Sequence, residues 1–268
     1  MCGIVGIYLK SKKFEKSLGK MLSKMLVSME SRGPDSAGFA IYNSDKNKIY
    51  KYSVCLNEMS FEKFKKEIKK KVKFTTIEKN SDHVILKSIE KPNKILPTLE
   101  DFSTISLVGY GKSIKIFKQV GNPRTVVKKF NLDSFSGTHG IGHTRMATES
   151  AITTDGSHPY STGEDECLVH NGSLSNHNNL RRKLKKRNLK QTLNKGLNDL
   201  DGFYTFIAGT HSGFAVLRDE IACKPAVIAE TKDYVAISSE FQAMAHLPNV
   251  NNAKIFEPEP GIVYSWGK

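Results

Sequence analysis

The chain has 268 residues, 38% of them hydrophobic and 25% charged, and its 41 Lys and Arg against 27 Asp and Glu give a formal net charge of +14. That length supports a substantial core, and no stretch approaches the roughly 20 consecutive apolar residues of a membrane-spanning helix. The charge invites a nucleic-acid role, but the basic residues are 34 Lys and only 7 Arg, and Arg is the side chain suited to bidentate phosphate and base contacts; no nucleic-acid partner is expected.

In chain order, CGIVGIYL (2–9) is apolar and β-branched and reads as a buried strand. Phe14, Leu18, Met21, Leu22, Met25, Leu26 and Met29 recur at helical spacing, which predicts an amphipathic helix over 14–30. SRGPDSAG (31–38) has turn composition, and FAIYN and KIYKYSV read as a pair of strands beyond it. The lysine-rich stretch FEKFKKEIKKKVKF (61–74) keeps Phe61, Phe64, Ile68 and Val72 on one face, so its lysines form the solvated face of a helix over 61–73. HVILKSI (83–89) predicts a strand, and TISLVGYGKSIKIFKQVG (104–121) predicts two strands around a Gly turn. GTHGIGHTRMAT (137–148) reads as a strand leaving into a loop, and ECLVHNGSLSN (166–176) as a strand ending in a turn, then a helix to about 187. Short strands dominate from Phe203, with a short helix near 240–246 and a last strand over 261–266. Strands at both ends with helices between predict two packed antiparallel sheets with helices outside, in a single domain over 1–268.

The cysteines, Cys2, Cys55, Cys167 and Cys223, are far apart with no CxxC spacing, which argues against a zinc site or a disulfide framework and points to the cytosol. Lys10, Lys12 and Lys13 follow the apolar start rather than preceding it, so no signal peptide is expected. Cys55, Cys167 and Cys223 sit in apolar strand contexts and are expected in the core. Cys2 is either core filler or, once Met1 is removed, a residue carrying both a thiol and a free α-amine. His143, His158 and His170 lack a carboxylate at ligand spacing, and no metal is expected there. Taken singly, RGPDSAG reads as a surface turn, HTR as a cap and HNG as a type I′ turn.

Together the polar islands form an ordered set. MCGIVG, RGPDSAG, GHTRMAT, SHP, VHNG and the late KPAVIAE…SSE resemble the class II glutamine amidotransferases. Within that family the chain is most similar to the free-standing amidotransferase subunit of glutamate-synthase-like and N-methylglutamate-synthase-like complexes. The resemblance covers nearly the whole chain. It implies an α+β fold, the four-layer αββα sandwich of N-terminal-nucleophile hydrolases, and hydrolysis of L-glutamine to glutamate and ammonia through a thioester on Cys2. It further implies Asn171 and Gly172 as oxyanion donors, Arg145 as the fork for the substrate carboxylate, Thr148 near the same end, and Arg32 in a loop ordering the pocket. A partner synthase subunit carrying flavin and iron–sulfur is implied too. This chain has no Gly-rich phosphate loop and no cluster-spaced cysteines, so it is expected to hold no cofactor itself.

Two departures stand out. Only 26 residues lie between Gly172 and Asp199, and none of them forms the Asp-Thr-Glu element whose Asp holds the substrate ammonium in the family. An alternative follows: an impaired subunit that keeps the fold for a structural or regulatory role. Met146 also stands where sugar-phosphate relatives carry Trp, in keeping with the glutamate-synthase-like branch.

Overall fold

The computed structural model describes residues 1–43, 49–147, 151–174 and 200–267. The apolar start forms β1 (Gly3–Leu9) and runs into α1 (Leu18–Ser28), preceded by a 3-10 turn at Lys12–Ser17. The predicted helix over 14–30 is thus split: its first four residues belong to tighter 3-10 structure with no buried residues, and only the part that buries Leu18, Met21, Leu22, Met25 and Leu26 is α-helical. Next come β2 (Ser36–Tyr42), β3 (Tyr50–Leu56), α2 (Phe61–Lys71), β4 (Thr76–Asn80), β5 (His83–Ser88), α3 (Pro92–Glu100), β6 (Ile105–Gly111), β7 (Ile114–Val120) and α4 (Pro123–Lys129). The second half holds β8 (His139–Arg145), β9 (Tyr160–Gly163), β10 (Glu166–Leu174), β11 (Gly202–Thr210), β12 (Gly213–Arg218), β13 (Val227–Glu230), β14 (Tyr234–Ser238), β15 (Lys254–Phe256) and β16 (Val263–Gly267).

Among the described residues the two packed antiparallel sheets expected from the sequence are joined by a third. The first runs β15-β13-β14-β1-β8-β2-β7, the second β16-β12-β11-β10-β9, and the third β4-β5-β3-β6. The strands FAIYN and KIYKYSV, expected to pair, part company: β2 lies between β8 and β7 in the first sheet, and β3 lies between β5 and β6 in the third. The reason is burial. Both faces of β2 are apolar and covered, Phe39 and Ile41 by the α1 side and Ala40 and Tyr42 by the second sheet. In β3, Tyr50, Tyr52 and Val54 instead belong to a separate core with Phe64 and Ile68 of α2 and Ile95 and Leu99 of α3. The predicted strand pair over 104–121 diverges in the same way, β6 to the third sheet and β7 to the first.

The first sheet carries α1 and α4 on one face and packs its other face on the second sheet. Strand alternation separates the two sides of β1: Val5, Ile7 and Leu9 join the core under α1, whereas Ile4 joins Val169, Ile207, Phe214 and Val216 between the sheets. On the outer face of the second sheet, Tyr204, Phe206, Ala215 and Leu217 form a further cluster. The helix expected to about 187 lies outside the described residues. The short helix expected near 240–246 is a 3-10 turn at Phe241–Ala243. Among the described residues no helix is long and apolar enough to cross a membrane.

Candidate active site

Cys2 precedes β1 by one residue and is half-buried. It shares the parity of Ile4, so the alternation of β1 sets its side chain on the face toward the second sheet. The register of β1 with β8, Gly3 opposite Thr144 and Ile4 opposite His143, brings Cys2 level with Arg145. Ser36 of β2 is the residue opposite Arg145 on the far side. Three polar side chains, Cys2, Arg145 and Ser36, therefore form a row across β1, β8 and β2. The Cys2 thiol lies 3.8 Å from the carbonyl oxygen of Met146.

The loop before β2 holds this end of the sheet together. Arg32 donates from Nε to the carbonyl of Cys2 at 3.1 Å and pairs through Nη1 with Glu240 at 2.5 Å. Asp35 receives the backbone N–H of Ala147 on Oδ2 at 2.7 Å, and its own N–H donates to the carbonyl of Arg145 at 3.1 Å. Gly33 fits because a Cβ there would stand 2.3 Å from the carbonyl carbon of Thr144. RGPDSAG is therefore not a free surface turn; it is a bracket between the chain start and the end of β8.

Asn171 and Gly172 lie inside β10, opposite Thr205 and Tyr204 of β11, which overturns the type I′ turn reading of HNG. Cys167 and Val169 point into the layer between the sheets, and Asn171 continues that face, toward β1. Asn171 is only 2% exposed, and its Nδ2 finds no partner among the described residues. A buried amide donor without an acceptor is costly, so this Nδ2 is a donor that the described residues leave unused. Gly172 takes φ +146°, and a Cβ would stand 2.0 Å from the carbonyl of Phe203; no other residue type lets the chain pass here.

Arg145 is nearly buried, and Nη1 donates to the carbonyl of Ala151 at 3.2 Å, so it also anchors the loop that follows β8. Thr148 lies outside the described residues, as does most of the stretch after Gly172 where the Asp-Thr-Glu element was sought. Met1 is exposed, with its ammonium 2.9 Å from the sulfur of Met146.

Behind this row lie three imidazoles. His143 Nε2 is 2.9 Å from the carbonyl of His170, His158 Nε2 is 2.7 Å from His170 Nδ1, and the rings of His143 and His158 stack at 4.1 Å. Burial, with His170 close by, holds the His143 pKa down at about 3, and burial keeps His158 well below its ordinary value. Lys118 of β7 is also buried, which lowers its pKa to about 8, and its ammonium binds the carbonyls of Asp155 and Ser157.

Of the remaining cysteines, Cys55 and Cys167 are core residues whose thiols burial pushes up to about 12. Cys223 departs from expectation: it is exposed, in the irregular segment between β12 and β13. Cys55, Asp82 and His83 bring ligand atoms within 4.8 Å of one another. The Asp82 and His83 atoms are already engaged, His83 Nδ1 with Asp82 at 3.0 Å and Asp82 with Lys129 at 3.1 Å. Glu240, Asp35, Ser36 and the histidine array were not singled out from the sequence as site residues. All of them stand in the quoted motifs, so their motif membership was the available signal.

No family profile matches the chain. It is 44% identical over 297 aligned positions to the glutamine amidotransferase-like protein GlxB of Rhizobium meliloti (strain 1021), covering 99% of this chain and 98% of that protein. It is 26% identical over 304 positions to a putative glutamine amidotransferase of Methanothermobacter thermautotrophicus, with 98% and 99% covered. Set against 268 residues, 297 aligned positions leave at least 29 without a counterpart in this chain. The fold matches that of the glutamine phosphoribosylpyrophosphate amidotransferase from B. subtilis, with a TM-score of 0.62 at 18% identity. That match takes in 99% of this chain, which spans about half (47%) of that longer protein. With the motifs set in one row, the fold shared and a relative matched end to end, the chain belongs to the class II glutamine amidotransferases, built on the N-terminal-nucleophile hydrolase fold.

Proposed function

We propose that this chain, as one domain over 1–268, hydrolyses L-glutamine to glutamate and ammonia with Cys2 as nucleophile, after Met1 is removed. The observation that carries the reading is the buried Asn171 amide, without an acceptor among the described residues, on the face of β10 turned toward the strand that follows Cys2. A free α-amine has a pKa of ~7.7–8.0 and is partly neutral at pH 7, so the amine of Cys2 accepts the thiol proton. The thiolate attacks the side-chain amide carbon of glutamine. The oxyanion that forms is received by Asn171 Nδ2 and the Gly172 N–H, donors of a kind worth ~3–4 kcal/mol each in the transition state. The amine then gives its proton to the leaving nitrogen, ammonia departs, and water cleaves the thioester to release glutamate and restore the thiol. Arg145 binds the substrate carboxylate, and the motif resemblance assigns Thr148 to the same end of the substrate. Arg32 acts on the pocket through the Cys2 backbone.

In this reading the ammonia passes to a separate synthase subunit of the glutamate-synthase type, which carries the flavin and iron–sulfur centres, and the complex resides in the cytosol. The basis is the resemblance of the motifs together with the full-length match to GlxB. Glutamate and ammonia release from glutamine by the Met1-processed chain, with Cys2→Ala as the inactive control, tests the glutaminase step. A second reading, a subunit with an impaired site, draws on the shortfall of at least 29 aligned positions. It predicts no glutamate release either alone or with the synthase subunit present.

A further inference from the structure

His143, His158 and His170 are buried together behind the nucleophile, yet the chemistry above uses none of them. We propose that they are positioning residues for the oxyanion donors, with His143 fixing the peptide that carries Asn171; the proposal rests on the glutaminase reading.

His143 stands on β8 opposite Ile4, two residues from Cys2 along β1 and two residues from Arg145 along β8. Its Nε2 meets the carbonyl oxygen of His170 at 2.9 Å. A carbonyl only accepts, so Nε2 carries the proton and His143 is the Nε2–H tautomer. The carbonyl of His170 lies in the same rigid plane as the N–H of Asn171. Holding that oxygen therefore fixes the plane from which the Asn171 side chain departs. The bond also crosses from the first sheet to the second, through a layer that is otherwise lined by Ile4, Ile141, Val169 and Ile207. Apolar contacts alone allow sliding between sheets; a directed hydrogen bond at this point sets where β10 stands relative to β1.

The other two rings support that bond. His158 stacks on His143 at 4.1 Å and binds His170 Nδ1 through Nε2 at 2.7 Å. His158 is itself held by the preceding loop, whose Asp155 and Ser157 carbonyls bind the Lys118 ammonium and whose Ala151 carbonyl binds Arg145. Nucleophile strand, carboxylate fork and oxyanion strand thus share one hydrogen-bonded array. Because an oxyanion donor acts in the transition state and not on bound glutamine, loosening it lowers kcat and leaves KM in place.

The test uses the full Met1-processed chain with His143→Leu, His143→Gln and His158→Gln. Active sites are counted by covalent labelling with a diazoketone analogue of glutamine, and folding is checked by thermal melting. Gln places an amide N–H where Nε2–H was. Loss of an oxyanion donor costs 10²–10³ in kcat, so its displacement in His143→Leu is expected to cost about 10- to 100-fold per labelled site, with KM within about twofold. His143→Gln is expected to recover most of that loss, and His158→Gln, which keeps the His143 bond, to lose only a few-fold in kcat. Equal impairment of His143→Leu and His143→Gln, a rise in KM with kcat unchanged, or unaltered kcat in His143→Leu overturns the proposal while the glutaminase reading stands. If His143→Leu does not fold, His158→Gln decides by the same split between kcat and KM. A wild-type chain that neither labels nor releases glutamate, alone or with the synthase subunit present, overturns both.

Discussion

Arg32 reaches across from the turn after α1 to donate to the carbonyl of Cys2 at 3.1 Å, while Glu240 holds the same guanidinium at 2.5 Å from the opposite side. The backbone of Cys2 is thereby tied to two segments more than 200 residues apart in sequence. Hydrogen bonds to charged groups contribute ~1.5–3 kcal/mol each. Arg32→Ala is expected to lower the melting temperature and reduce glutamate release at least about tenfold, because misplacing a reacting group by 1 Å costs up to ~10² in rate. Arg32→Lys should not restore it, since an ammonium cannot make both bonds with the geometry of the fork. Melting curves and glutamate release on the three proteins check this.

At Gly172 the chain passes so close to Phe203 that a Cβ has no room, and φ is +146° besides. Gly172→Ala combines backbone strain with overlap against a neighbouring strand. The expected cost is ~3 kcal/mol or more, read as a lowered denaturation midpoint, with glutaminase activity lost.

The four cysteines should separate into two classes. Cys2 and Cys223 are accessible, whereas Cys55 and Cys167 are buried with thiols raised to about 12. A thiol-exchange reagent at pH 8 is expected to modify two thiols in the native protein and all four in denaturant. Cys223→Ser removes one native equivalent and leaves glutaminase activity unchanged.

His139 predicts a pH dependence of stability. It is stacked on Tyr42 at 4.2 Å and bonded to the carbonyl of Thr210 at 2.8 Å, and burial holds its pKa down at about 4 against 6.5 unfolded. The unfolded chain therefore binds one proton more than the native chain between these values. Stability falls as pH drops from about 6.5 to about 4, by up to ~1.4 kcal/mol per pH unit for this group. His143 and His158 act in the same direction. His139→Gln is expected to flatten the curve over that window, as measured by urea midpoints from pH 4 to 7.

Much of this site was legible in the sequence because it is built from short contiguous motifs. RGPDSAG, GHTRMAT and VHNG each supply a strand end, and β-alternation then tells which residues of each end share a face. What stayed hidden was pairing between distant strands. The separation of β2 from β3 follows from which core each apolar face finds, and local alternation does not carry that information. Asn-Gly read as a turn because the dipeptide favours one; here β11 pairs with it as continuous strand. The roles of Glu240 and His143 depend on contacts between residues separated by 208 and 27 positions, which spacing does not reveal.

The central claim is that Cys2 is the nucleophile of a formed glutamine site. Intact-mass measurement of the Met1-processed protein, before and after exposure to a diazoketone analogue of glutamine, tests it most directly. The account predicts one adduct, formed with loss of dinitrogen, absent from Cys2→Ala and suppressed by excess glutamine. An adduct that persists in Cys2→Ala, or none at all on Met1-free protein with the synthase subunit present, would contradict it.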